Sequence, residues 1–293
     1  MTAPEHGEVQ ELAPGLRAIL APNPSPMTYW GTNTFLIGES DVAVVDPGPA
    51  DAAHLDQIKR AAGDRISKIL ITHPHLDHSP GAKRLSEETG APVFGFGTAA
   101  ESIPDKLRAF ANLGGGEGVD HTFLPDIRLS DGDSVTGDDW SIQVIETPGH
   151  FAGHLAFATD TWILSGDHAM AWASTLISPP HGDLGDFRRT TDRLLLMPDH
   201  RFFPSHGPEL ADPSERLMWL LAHRQSREDQ IREVLSDNPL SIHEIALAVY
   251  TDIDPRMMPA AERNLLAHLI DLVERSEARS DSLLHLNSRF TRA

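Results

Sequence analysis

The residues of this sequence best suited to chemistry lie in the segment Thr72-His73-Pro74-His75-Leu76-Asp77-His78. It places three imidazoles and one carboxylate within six residues, directly after an apolar run that predicts a strand at Ile66–Thr72. Imidazole nitrogen suits Zn²⁺ and similar cations, and carboxylate oxygen suits harder ones. Four such groups exceed the needs of one tetrahedral ion with an open catalytic position, so the spacing predicts a two-metal site. The alternative interpretation is a polar surface loop enriched in histidine by chance.

Three further groups of the metal-ligand type follow predicted strands. His150 follows Pro148-Gly149, Asp167 follows Gly166, and His206 precedes Gly207. Each signal is weak alone, because a histidine beside glycine is usually an ordinary loop residue. Loops at one edge of a sheet gather the chemistry of αβ folds, so the three could join the first motif.

The elements that must position these residues are short strands mixed with helices, which indicates an α/β or α+β architecture. The sequence predicts strands at 42–46, 66–72, 92–96, 140–147, 155–159, 162–165 and 201–204. It predicts helices at 51–62 and 82–89, the first with an inner face of Ala53, Leu55 and Ile58. The glycine-rich stretch Leu113–Gly118 predicts a mobile loop.

The pattern changes to amphipathic helices near Asp212-Pro213, a good helix start. A capping box at Ser241–Glu244 opens a second helix, and a third carries a leucine-rich stripe from Leu265 to Val273. With a short strand at Leu283–Leu286 these would make a small winged-helix-like domain. We therefore predict a catalytic domain at residues 1–222 and a winged-helix-like domain at 223–293.

Composition narrows the possible partners. The 293 residues carry a formal charge of −19, with 16 His and no Cys. Residues 222–293 hold nine Arg against 12 acids, so packing or dimerisation is favoured over DNA recognition for this part.

The first residues lack a signal-peptide pattern, and no apolar run is long enough to span a bilayer. The sequence therefore predicts a cytoplasmic protein with no membrane partner, and a homodimer remains open.

In its Thr72–His78 motif, the chain resembles the metallo-β-lactamase superfamily of binuclear hydrolases. Softer strings resemble its β-lactamase-like protein 2 branch, which carries a C-terminal winged helix after a four-layer αβ/βα sandwich. These strings are 23–28, 31–34, 45–48, 178–183, and His223-Arg224 leading into Arg227-Glu228.

The resemblance implies a ligand set and a mechanism. It implies His73, His75 and His150 as ligands of the first metal, Asp77, His78 and His206 of the second, and Asp167 bridging both. The metals would be two divalent ions, Zn²⁺ first, with Fe or Mn as alternatives. Two dications roughly 3.5–4 Å apart lower the pKa of a shared water from 15.7 toward about 7, and the bridging hydroxide would be the nucleophile. Asp77 would hold its remaining proton.

Other residues carry smaller expectations. Asp46 could accept a hydrogen bond from a ligand histidine, or simply form a turn. His154 is expected to have a structural role rather than to bind metal. His168 and His181 could line the substrate pocket or protonate the leaving group. For both, an ordinary solvated position in a loop is an equal alternative. Of the two, His168 is our catalytic candidate. Trp30 and Trp172 could form pocket walls, although core packing is the usual role of Trp. Ser205 is expected to bond the backbone.

The substrate is the most open question. We expect a small ester or thioester, with an anionic substrate left open and chemistry like that of the glyoxalase-II-like relatives. The second hypothesis is a single-strand endoribonuclease or phosphodiesterase, which the branch resemblance implies. With four Lys in the chain, its RNA path would need the Arg188-Arg189 and Arg193 stripe. The third hypothesis is a non-enzymatic metal-binding protein.

Overall fold

The computed structural model describes residues 2–111, 118–281, 284–285 and 287–293. Its first sheet has seven strands in the order of the chain. They are β1 (Val9–Ala13), β2 (Leu16–Leu20), β3 (Asn33–Ile37), β4 (Val42–Val45), β5 (Ile66–Leu70), β6 (Val93–Gly95) and β7 (Ile127–Arg128). The first three connections are antiparallel, and β4 to β7 run parallel. The predicted strands that became β4, β5 and β6 are confirmed, whereas β1 to β3 were not predicted.

The second sheet has five strands in the order β12-β11-β10-β9-β8. They are β8 (Ser134–Thr136), β9 (Ser141–Glu146), β10 (Leu155–Ala158), β11 (Trp162–Gly166) and β12 (Arg201–Pro204). The predicted strands at 155–159 and 162–165 are confirmed as β10 and β11, which pair antiparallel, and β12 joins β11 in parallel.

Helices cover the outer face of each sheet. On the first sheet lie α1 (Ala52–Ala62) and α2 (Pro80–Thr89), and on the second lie α3 (Leu184–Leu194) and α4 (Pro213–Val234). The predicted inner face of α1 is wrong at one position. Ala53 is exposed and the neighbouring His54 is buried, because its Nε2 reaches Thr34 Oγ1 at 2.9 Å.

Three apolar layers separate these elements. The central layer packs side chains of both sheets together, such as Phe35 and Leu70 with Phe157 and Leu164. The outer two bury α1 and α2 on one side and α3 and α4 on the other. The predicted αβ/βα sandwich is confirmed, and its loops at one end of both sheets carry the residues singled out above.

The C-terminal part packs α5 (Ile242–Val249) and α6 (Met258–Glu274) beside a three-stranded sheet of β13 (Leu240–Ser241), β15 (Arg289–Arg292) and β14 (Ala278–Ser280). The capping box of Ser241 and Glu244 is confirmed.

The predicted boundary between the two domains, after residue 222, falls within α4 and stays a prediction. In the predicted loop Leu113–Gly118, residues 113–117 lie outside the described residues, as do Leu283 and Leu286 of the predicted strand.

A buried charge cluster joins the two parts. Glu228 of α4 is fully buried and is paired with Arg188 of α3 and with Arg232 and Arg275. Asp271 of α6 takes a second nitrogen of Arg188 at 2.6 Å. The helices α3, α4 and α6 are thereby held together by charge as well as by apolar packing. No helix within the described ranges is long and apolar enough to cross a membrane.

Candidate metal centre

The loops that follow β5, β9, β11 and β12 bring seven potential metal ligands together. Within each of two groups, one possible ligand atom from every residue lies within 4.8 Å of the others. The first group is His73, His75, His150 and Asp167, and the second is Asp77, His78 and His206. These are the seven residues that the sequence analysis selected, from four separate places in the chain.

The first group presents nitrogen lone pairs to one point. The Thr72 hydroxyl donates to Asp46 at 2.7 Å, so its oxygen can only accept from Nδ1 of His73 at 3.0 Å. Nδ1 of His150 donates to the Leu176 carbonyl at 2.7 Å. Both Nε2 atoms are therefore unprotonated in neutral rings, and they lie 2.8 and 3.2 Å from Nδ1 of His75. One proton on His75 cannot satisfy both, whereas a cation would accept all three lone pairs.

The second group is arranged in the same way. Nδ1 of His78 donates to Asp46 at 2.8 Å, and Nδ1 of His206 donates to the Gly31 carbonyl at 3.2 Å. Their Nε2 atoms lie 3.4 and 3.1 Å from Asp77 Oδ2, yet both are buried with no hydrogen-bond partner of good geometry among the described residues. Buried polar atoms rarely stay unsatisfied, so their convergence fits a cation site.

Asp167 lies between the two groups. Its Oδ2 is 3.7 Å from Nε2 of His150 and 3.6 Å from Nε2 of His78, and its Oδ1 is 3.4 Å from Nε2 of His206. One carboxylate thus faces ligand atoms of both groups. This is the placement that a carboxylate shared by two cations requires.

The histidines of the cluster differ in the direction in which their pKa values are shifted. Burial disfavours the charged ring of His206, but the carboxylates of Asp167 and Asp77 outweigh it and raise its pKa to about 9. The same balance raises the pKa of His78 well above its usual value. For His75, burial and then His150 lower the pKa to about 3. In the metal-free protein, protons on two rings therefore balance the carboxylates that a cation would otherwise balance.

Asp46 orients the cluster from behind. Asp46 is fully buried at the end of β4. It accepts hydrogen bonds from the Thr72 amide at 2.8 Å, from the Thr72 hydroxyl at 2.7 Å and from Nδ1 of His78 at 2.8 Å. The expected contact with a histidine of the cluster is confirmed. Ser205 bonds the backbone as expected, through its amide to the Gly166 carbonyl at 3.1 Å and its carbonyl to the Asn33 amide at 2.8 Å. Its hydroxyl also donates to Asp46, at 3.3 Å, a contact that was not predicted.

His154 has the structural role that was expected. Its Nδ1 pairs with the Thr147 hydroxyl at 2.6 Å, and its Nε2 accepts from the Asp167 amide at 3.1 Å. The ring therefore fixes the backbone that carries the shared carboxylate. It does so only because Gly166 leaves room: a Cβ there would lie 2.3 Å from Nε2 of His154.

We expect Gly166→Ala to displace Asp167 and to destabilise the fold. Gly166 has φ +54°, so alanine would suffer left-handed strain of about 1 kcal/mol together with a clash of roughly 1–3 kcal/mol. The matched control is Gly132→Ala, because Gly132 has φ +83° and nothing within 4 Å of its added Cβ. Urea unfolding and metal titration of both variants measure the difference. Equal losses in the two variants would contradict the role given to Gly166.

His168 and His181 lie away from the ligand atoms. The His168 ring is fully buried, contacts the Thr191 hydroxyl at 2.9 Å and stacks on Phe187. Its catalytic role stays a prediction. His181 is buried against Phe151 in a parallel stack with a centroid distance of 4.4 Å, and neither histidine is a solvated loop residue.

Tyr29, which was not predicted, joins Trp30 and Trp172 in a stack of aromatic rings that we call the aromatic wall. Tyr29 stacks on both Trp30 and Trp172, each with a centroid distance of 4.8 Å. Gly207, directly after His206, packs so close to Trp172 that a Cβ would lie 2.8 Å from its indole ring. The three rings are not fully buried and stand beside the second ligand group. Tyr29 carried no sequence signal, since only folding brings it to Trp172.

Comparison with known proteins agrees with this geometry. Residues 27–206, more than half of the chain, match the model of the Metallo-beta-lactamase superfamily. The chain belongs to the metallo-beta-lactamase superfamily. Residues 241–283 match the Beta-lactamase associated winged helix domain, which confirms the C-terminal fold prediction.

Individual superfamily members extend the likeness over the whole chain. A Beta-lactamase-like protein 2 homolog of Drosophila melanogaster is 28% identical over 285 residues, covering 92% of each chain. An Atrochrysone carboxyl ACP thioesterase of Aspergillus fumigatus is 24% identical, covering 78% of this chain and 67% of that protein. The crystal structure of a Beta-lactamase domain protein from Burkholderia ambifaria superposes with a TM-score of 0.82 at 26% identity, covering 100% of this chain and 95% of the other. The protein is a hydrolase of this superfamily with a His/Asp cluster that can bind metal.

Proposed function

We propose that the protein hydrolyses the ester or thioester bond of a small substrate, with two divalent cations held by the clustered residues. The observation that carries the proposal is the set of imidazole lone pairs converging on two points that share Asp167. His73, His75 and His150 would hold one cation, and Asp77, His78 and His206 the other. Nitrogen and oxygen donors of this kind suit Zn²⁺ first, with Fe or Mn as alternatives.

When bound, the cations would supply Lewis acidity for the scissile carbonyl and would lower the pKa of water. The chain supplies orientation and a hydrogen-bond acceptor. Burial raises the pKa of Asp77, but His78 and His206 outweigh it and hold the pKa well below its usual range. The carboxylate is thus ionised at neutral pH, and its side chain is 25% exposed, so it can accept a hydrogen bond from water at the open side of the site and orient that water.

The aromatic wall supports an apolar acyl group. Tyr29, Trp30 and Trp172 offer flat apolar faces directly beside His206, and Leu76, between two proposed ligands, is 50% exposed. Apolar walls with a few convergent polar groups are typical of small-molecule sites. Among the curated relatives, the protein named as an acyl-carrier-protein thioesterase acts on an ester of this general class, which also supports the proposal.

We expect Trp172→Ala to raise KM about tenfold for hexanoyl thioesters and to change KM little for acetyl thioesters. The difference reflects the loss of roughly 1.4 kcal/mol of apolar contact with the longer chain. Trp219→Ala is the control, since Trp219 lies on α4 and is 45% exposed. Steady-state kinetics over acyl lengths of two to eight carbons measures the effect. A uniform change at every length would argue against an acyl-binding wall.

The stripe considered for RNA is neutralised by neighbouring carboxylates. Arg188 pairs with Glu228 and Asp271, Arg189 with Asp186, and Arg193 with Asp131. Cations already paired have little charge left to replace the counterions of a phosphate backbone. This supports a small-molecule substrate over the nuclease alternative.

The proposal is tested by assaying the metal-loaded protein on a thioester, a lactone, bis-p-nitrophenyl phosphate and single-stranded RNA. His75→Ala and Asp77→Ala serve as site variants, and His6→Ala, at an exposed position, is the control. Ester or thioester turnover that is lost in both site variants is expected. Turnover of RNA alone, or equal activity in all variants, would overturn the proposal.

Metal binding is expected to strengthen as pH rises. The proton on His206, held with a pKa of about 9, competes with a cation for Nε2. The apparent association constant at this group should therefore rise by at least about tenfold per pH unit from 7 to 9, because the His206 proton alone gives that slope and the proton on His78 adds to it. Chelator competition at several pH values measures the slope, and His206→Asn should remove this contribution. A flat profile from pH 7 to 9 would contradict the assignment.

A further inference from the structure

The loop that joins β11 to α3, residues 167–183, orients a proposed metal ligand through its backbone. The Leu176 carbonyl receives the Nδ1 proton of His150 at 2.7 Å. This hydrogen bond fixes the tautomer that leaves Nε2 of His150 free, and a histidine needs such a partner to present its other nitrogen to a metal. Whatever holds Leu176 in place therefore acts on the ligand.

Residues of α4 and α6 hold the peptide groups on both sides of Leu176. Arg224 of α4 donates to the Thr175 carbonyl, and the Ile177 amide donates to Oδ1 of Asn264 of α6 at 3.3 Å. Nη1 of Arg224 also donates to the same Asn264 oxygen, at 3.0 Å. The two side chains form one clamp around a single carbonyl.

The clamp also reaches the shared carboxylate. The Thr175 hydroxyl lies 2.9 Å from the backbone carbonyls of both Asp167 and His168, which share its one proton. The peptide that Arg224 holds is thus tied to the start of the loop as well. Displacement of Thr175 would disturb both the tautomer of His150 and the position of Asp167.

The burial of Arg224 indicates a specific purpose for its charge. The residue is 1% exposed, and burial lowers its pKa to about 10. Within the described part of the chain no carboxylate lies within 4.0 Å of its guanidinium, which instead faces neutral acceptors and the Phe187 ring at 5.2 Å. Burying an unpaired cation is costly, and an apolar side chain would fill the same space at lower cost. The contacts that remain to explain it are those to Thr175 and Asn264.

We propose that Arg224 and Asn264 are positioning residues for His150, so that the C-terminal helices hold the metal centre in its binding form. The inference rests on the proposed role of His150 as a metal ligand. It gives the His223-Arg224 string of the sequence a physical function. It also explains why a helical part that contributes none of the seven proposed ligands packs against this loop.

The test compares Arg224→Met and Asn264→Ala with Arg216→Met. Arg216 of α4 donates to the carbonyls of Met170 and Ala173 in the same loop, both at 2.7 Å, but not to the peptides beside Leu176. Stepwise Zn²⁺ affinities are measured by chelator competition, with His150→Ala and His206→Ala marking which step belongs to which group. We expect the first two variants to weaken the His150 step about 10–100-fold and Arg216→Met to change it less than about threefold.

A second readout needs no metal. Long-range ¹H–¹⁵N spectra of the metal-free protein report the tautomer of His150, which should lose its fixed Nδ1–H form in Arg224→Met and in Asn264→Ala but not in Arg216→Met. Should Arg224→Met fail to fold, Asn264→Ala decides. Wild-type protein that binds no metal would overturn the proposed function, and the tautomer would still test the clamp. Two metals in the wild type, with all three variants alike in affinity and tautomer, would overturn this inference alone.

Discussion

Asp167→Asn is expected to lower the metal content from near two ions per chain to one or fewer, and to lower kcat/KM by at least about 100-fold. The carboxylate faces Nε2 of His150, His78 and His206 at 3.4 to 3.7 Å, so it is the group common to both clusters. An amide has the same shape but no charge. Its NH₂ group would also point toward lone pairs that need a cation.

The control for this substitution is Asp199→Asn, which makes the same change at an exposed position. Metal content by plasma mass spectrometry and kinetics on the thioester are measured for both proteins. Two ions per chain and undiminished turnover in Asp167→Asn would contradict the bridging role.

Asp46→Asn should have the next largest effect, although Asp46 touches no cation site. Its carboxylate accepts from Thr72, His78 and Ser205, whereas an amide offers one oxygen and a donor that opposes the Nδ1 proton of His78. We expect a loss of about 10–100-fold in affinity at the His78 group and roughly 2 kcal/mol in the free energy of unfolding. The backbone of Asp46 has φ +48°, which asparagine tolerates, so backbone strain does not contribute to the expected loss of stability.

Asp51→Asn is the matched control for Asp46→Asn. Asp51 is the N-cap of α1, where its side chain accepts from the His54 amide, and asparagine caps a helix about equally well. Metal titration and urea unfolding of the two variants provide the comparison. If Asp46→Asn bound both metals as tightly as Asp51→Asn, the orienting role of Asp46 would be wrong.

The proposed ligand residues could be predicted from the sequence because their side-chain types and spacing are local signals. Imidazole and carboxylate are compressed into His73–His78, and His150, Asp167 and His206 each sit beside a glycine near a strand end. Asp46 was a weaker prediction, made from its place at a strand end before Pro47-Gly48, where a turn-forming role was equally open. These residues come together because parallel and antiparallel strands end at one edge of the sandwich.

The remaining features depend on packing that the sequence does not display. His168 carries the same local signals as the ligands, but the stack on Phe187 of α3, a helix that was not predicted, draws it into the core. The stripe Arg188-Arg189 looks basic in sequence, and only the fold pairs it with Glu228 and Asp271. Arg224 likewise becomes meaningful only beside Thr175, 49 residues earlier in the chain.

The most direct test of the central claim is anomalous X-ray scattering from crystals of the metal-loaded protein, recorded at the absorption edge of the bound element. We predict two peaks roughly 3.5–4 Å apart on either side of Asp167. One should lie against Nε2 of His73, Nδ1 of His75 and Nε2 of His150, and the other against Oδ2 of Asp77 and Nε2 of His78 and His206. A single peak, no peak, or peaks away from these atoms would contradict the two-metal centre.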